Sequence, residues 1–108
     1  MNTADILERA ATLIEERGWN QGWYVNGCGG LCTTGAMFAA VGMEPVLGQD
    51  SNWNTFNEIA FRSAQAAWDR FTAHVAQHAP QWNDAPERTK EEVVSTLRAA
   101  AQAARAEQ

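Results

Sequence analysis

Cysteine is scarce: the 108 residues hold two, Cys28 and Cys32. That is too few for a disulfide framework. Their count allows one bridge, but with no export signal in view the expected state is two reduced thiols. Lysine is scarcer still, with Lys90 alone beside seven arginines. The 8 basic residues are scattered among 13 acidic ones, giving a net charge of -5. A duplex-binding surface needs clustered Lys and Arg, so nucleic acid is not an expected partner, nor is an anionic membrane surface. No apolar run approaches the ~20 residues of a membrane span. Met1 leads through Asn2 and Thr3 to Asp5 without a basic region or an apolar leader core, so a cytoplasmic location is expected.

What the chain does have points to packed helices. It carries 20 alanines, and 45% of its residues are hydrophobic against 19% charged. This is the balance of a folded globular protein, and one domain over residues 1–108 fits the length. Alanine on this scale favours closely packed helices over alternating strands. The 5 tryptophans are dense for the length. Each brings a large apolar area and one N–H that needs a partner, so they serve either to complete a small core or to line a pocket.

Ile6, Leu7, Ala10, Leu13 and Ile14 recur at helical spacing, predicting a helix over 3–17 with Asn2 or Thr3 as cap and Gly18 as its stop. Residues 18–31 are rich in glycine and asparagine, and only Trp23-Tyr24-Val25 is strand-like. With the Asn26-Gly27 turn signal, this allows a short hairpin near 22–28. A small-residue helix is predicted from Leu31 to Val41, then a loop over 44–51. Trp53, Phe56, Ala60, Ala64, Ala67, Phe71 and Val75 form a stripe widened by Ile59, Phe61 and Trp68. They predict one long helix capped by Ser51 or Asn52 and ended by Ala79-Pro80. Thr89 and Glu92 form a capping box before the face Val93, Val94, Leu97, Ala100, Ala101 and Ala104. The expected fold is therefore all-α or nearly so, a compact irregular bundle of about four helices.

Three segments carry a resemblance: Arg17-Gly18-Trp19-Asn20-Gln21-Gly22, Cys32-Thr33-Thr34-Gly35-Ala36, and Trp82-Asn83-Asp84 followed by Arg88-Thr89 and a Glu-Val helix start. On these the chain resembles a family of small uncharacterised proteins from actinobacteria and their phages. The resemblance covers most of the chain and is weakest over 44–78. It implies an ancestry and no assigned activity, and no functional residue transfers from it.

The residues themselves offer several constellations. Cys28 and Cys32, with His74 and His78, have C-x3-C and H-x3-H spacing, and the two histidines would share a helix face as a zinc pair. Against zinc, 41 residues separate the two pairs and an apolar core needs no metal to fold, so neither a metal nor a cofactor is expected. Cys32 at a helix start, with His74 and Asp84 downstream, has the chain order of a cysteine nucleophile, and backbone N–H groups there could form an oxyanion hole. A buried packing thiol is the plainer reading. The glycines at 27–30 lack both the spacing and the lysine of a phosphate loop. Trp82, Asn83, Asp84 and Arg88 read as a core plug and loop braces. With Trp19, Asn20, Gln21 and Trp23 they also have the indole, amide and carboxylate chemistry that suits a polar ligand. The leading expectation is a non-enzymatic accessory protein, monomeric or weakly dimeric, that binds a protein partner or a small polar ligand. The alternative is a small hydrolase or transferase using Cys32.

Overall fold

The computed structural model describes residues 2–46, 49–53 and 57–107, with residues 46 and 49–53 described by their backbone alone. The described residues form five helices: α1 (Thr3–Arg17), α2 (Thr33–Ala40), α3 (Glu58–Val75), α4 (Ala79–Asn83) and α5 (Lys90–Ala106). A two-stranded antiparallel ribbon, β1 (Pro45–Val46) and β2 (Gln49–Trp53), lies between α2 and α3. Its register pairs Pro45 with Trp53 and Val46 with Gln49, with an irregularity between Pro45 and Val46. Among the described residues this ribbon is the one sheet beside the helices, and none of the described helices is long and apolar enough to cross a membrane.

α1 occupies the middle of the fold because its apolar face is wide. Ala4, Ile6, Leu7, Ala10, Ala11, Leu13 and Ile14 are all buried, and the helix contacts α5, α2 and α3. α5 buries the six residues that its periodicity predicts. The two helices are also tied along one edge, where Arg98 donates to Glu8 at 2.8 Å and to Glu15 at 2.5 Å. α2 is apolar or small all round and is buried from Thr33 through Phe38. A helix without a polar face has to be enclosed on every side. A second, smaller cluster joins Phe38, Met43 and Ala64 to the partly buried Ala60 and Phe61.

Several expectations need correction. The long helix begins at Glu58, with Asn57 as its cap (its side chain accepts from the Ala60 N–H). Ser51, Asn52 and Trp53 belong instead to β2, and Phe56 lies outside the described residues. Of the expected loop over 44–51, residues 45–46 and 49–51 belong to the ribbon, and residues 47–48 lie outside the described residues. No hairpin forms at 22–28. Only single bridges occur there, Trp19 with Leu31 and Val25 with Leu31, while Asn26 wraps the glycines by accepting from the N–H groups of Cys28 and Gly30. Helix α3 ends at Val75, with Ala76 in the left-handed conformation at φ 56. Ala79-Pro80 then opens α4 rather than ending α3, because proline is tolerated in a first helical turn, where its missing N–H would have no partner. His78 is therefore the residue before α4 and shares no helix face with His74. Ile59 does not widen a buried stripe; it is 79% exposed.

Candidate functional site

Two tryptophan-asparagine segments far apart in sequence meet in space. Trp19-Asn20-Gln21-Gly22 follows α1, and Trp82-Asn83-Asp84 closes α4. Asn83 is 1% exposed and stands at the centre of the contact. Its Oδ1 accepts from Trp19 Nε1 at 2.9 Å, from the Thr33 N–H at 3.0 Å and from Thr33 Oγ1 at 2.7 Å. Its Nδ2 donates to the Asn20 carbonyl and to Asp84 Oδ1, both at 3.0 Å. One buried amide thus joins three pieces of chain: the loop after α1, the start of α2 and the end of α4. Around it, Gln21 Nε2 donates to the Asn83 and Ala85 carbonyls at 3.1 and 3.0 Å. The Gly22 N–H donates to Asp84 Oδ1 at 3.0 Å. A buried polar network of this kind stabilises when every member is satisfied and is costly when one is removed.

Trp82 anchors the same corner from below. It is 7% exposed and meets the Phe71 ring edge-on at 5.2 Å. The Arg88 guanidinium lies 4.0 Å from its ring centroid, donates from Nε to the Trp82 carbonyl at 2.8 Å, and pairs with Glu92 at 2.7 Å. The cation covers the indole face, so this Trp presents little to solvent.

Cys32 is the N-cap of α2, its Sγ accepting from the Gly35 N–H at 3.3 Å. The thiol is buried, whereas Cys28 is exposed on the glycine-rich turn. Gly35 is there for contact: a Cβ on it would stand 2.1 Å from the Tyr24 carbonyl oxygen, which also accepts from the Cys32 N–H at 3.2 Å. The spacing of Cys32 and Gly35 is therefore a docking device that lets the loop lie directly on α2.

The sequence-based groupings separate accordingly. Among the described residues no three of His, Cys, Asp and Glu gather as a metal site, so Cys28, Cys32, His74 and His78 form no ligand set. His74 is exposed on the last turn of α3, His78 packs edge-on against Trp68, and Asp84 is taken up by Gly22 and Asn83. The eight residues expected to bind a ligand do come together, but Trp19, Asn20, Asn83, Trp82 and Arg88 make their contacts within the fold. Trp23 differs: at 50% exposed it stands out on the loop that the others brace. The roles of Thr33 and of the Tyr24 carbonyl are not legible in the sequence. A threonine opening an apolar helix and a backbone oxygen leave no compositional signal.

The geometry defines a small helical domain whose densest polar residues are structural braces. A family model, DUF6197, described as a family of unknown function, matches residues 1–103, and the chain belongs to that family. No curated protein and no solved structure matches it.

Proposed function

We propose that the protein is a non-enzymatic binding module that meets a protein partner through the loop over residues 20–28. One observation carries this reading. The loop is tied down by Asn83 and Asp84 and by its own Gln21, which donates to the Asn83 carbonyl, and it holds Trp23 half exposed above these contacts. A fixed, exposed indole is the kind of anchor that dominates protein interfaces. The net charge of -5 favours a partner with a basic surface. An actinobacterial or actinophage source, proposed here, agrees with the excess of alanine and of arginine over lysine. A cytoplasmic location, proposed here, agrees with a content of two cysteines, too few for a disulfide framework.

The test is capture from a cognate lysate by the wild-type protein and by Trp23→Ala, alongside their melting curves. The substitution is expected to leave the melting temperature nearly unchanged and to abolish recovery of the proteins captured by the wild type. Recovery of the same proteins by both would overturn the reading.

The cysteine-hydrolase alternative draws on the position of Cys32 Sγ at the amino end of α2, where a thiolate is favoured. Burial of that thiol counts against it. Thiol labelling of the folded protein separates the two readings. The binding module labels quickly at Cys28 alone, so Cys28→Ser should label slowly. A second fast thiol, lost in Cys32→Ser, would favour the enzyme.

A further inference from the structure

Among the described residues the solvent face of α3 is left uncovered, and it is self-complementary. Ile59, Arg62, Ala66, Asp69 and Ala73 are all exposed and recur at helical spacing. The buried residues Ala64, Ala67 and Phe71 lie on the opposite side. Ile59 is the most exposed large apolar side chain among the described residues, at 79%. Two open depressions run along this face. One is bounded by Ile6, Ile59, Ser63 and Ala66. The other, of about 620 Å³, is bounded by Ala66, Asp69, Ala73 and Ala104 and by the ion-paired Arg70 and Glu107. They share Asn2, Thr3 and Ala66 and so form one continuous groove with a projecting isoleucine at one end and, at the other, a hollow lined by alanines and walled by that ion pair.

The geometry points to a second copy of this chain as the occupant, with the two α3 helices antiparallel about a two-fold axis near Ala66. Such an axis keeps residues on one flank of the helix facing the same flank of the partner. Arg62 and Asp69 lie two turns apart on the same flank. The axis brings each Arg62 to the partner's Asp69, giving two opposite-charge pairs. The same operation sets Ile59 at the level of the partner's Ala73, over the hollow bounded by Ala66, Ala73 and Ala104. Small residues let the helices approach closely, and the knob and hole sit at matching distances from the axis. Within each copy Arg62 pairs only with the exposed Glu58, at 2.8 Å, and Asp69 accepts from Gln65 at 3.2 Å, so both side chains are free to turn outward. Trp23 and the loop around it lie outside this face, and a dimer leaves them available in both copies.

Sedimentation equilibrium of the full chain over a concentration series tests the pairing. The wild type is expected to show mass rising toward a dimer. Ile59→Asp should be monomeric with an unchanged helical spectrum. Arg62→Asp and Asp69→Arg should each be monomeric alone, because each places like charges opposite one another twice. An equal mixture of these two variants should dimerise, since both facing pairs are then opposite in sign. A wild type that stays monomeric at ~1 mM, where even weak specific pairs associate, overturns the proposal. So does a dimer that survives Ile59→Asp, or a mixture of the charge variants that stays monomeric.

Discussion

At the scale of single residues, Asn83 matters most. Its amide is fully used, joining the buried Thr33 N–H to the partly buried Trp19 indole N–H and Asn20 carbonyl. Asn83→Ala would leave these groups unpaired, at ~1–3 kcal/mol for each buried group that finds no water. The expected outcome is a loss of ~3 kcal/mol or more in chemical denaturation, a large share of the stability of a small domain. A loss under ~1 kcal/mol would mean that water replaces the amide. Thr72 presents the reverse case: its Oγ1 is buried without a hydrogen-bond partner in the fold. Nothing in the structure explains it.

At the scale of elements, α2 sets the terms for the loop that lies on it. Alanine is a better helix former than glycine by ~1 kcal/mol, so on propensity alone Gly35→Ala should stabilise this short helix. The Tyr24 carbonyl reverses the sign, because a methyl group 2.1 Å from a backbone oxygen forces the loop off the helix. Overpacking of this kind costs ~1–3 kcal/mol. The variant is expected to be less stable than the wild type and to show increased hydrogen exchange at the N–H groups of Cys32 and Leu31, which hold the loop by bonding Tyr24 and Gly18. A more stable variant would contradict the close approach. The capping box at α5 was legible in advance, and Thr89 accepts from the Glu92 N–H at 3.1 Å. The start of α3 was not. Asn57 caps it by the same chemistry that Ser51 or Asn52 would have used, and nothing local ranks polar residues this close together in the chain.

At the scale of the whole molecule, the edge between α1 and α5 makes stability depend on pH. The Arg98 guanidinium hydrogen-bonded to Glu15 holds that carboxyl below its ordinary value of 4.5. A lowered value in the folded state means that the stabilising contribution is full above the ordinary value and is lost as pH falls through the folded one. The pair is exposed to solvent, so the effect is modest and sensitive to salt. The melting temperatures of the wild type and of Glu15→Gln are expected to differ near pH ~7, and the gap is expected to shrink as pH falls below the ordinary carboxyl value. A gap that widens in acid would refute the assignment.

The sequence by itself determined the helical class, the limits of α1, the faces of α1 and α5, and the cap of α5. Each depends on spacing within a few residues, and the 3.6-residue period converts spacing directly into a face. For Trp82 it left two readings open, a core plug and a ligand-binding indole, because a large aromatic in a polar connection serves either use. The tertiary structure decided what the polar residues do. Asn83 lies beyond sixty residues of chain from Trp19 and fifty from Thr33, and a hydrogen bond across that separation leaves no trace in local pattern. The same holds for Ile59, whose apolar character predicts burial in a helix stripe and whose position on the far side of α3 leaves it in solvent. Burial is a property of the faces that meet, and only the packed fold selects which faces those are.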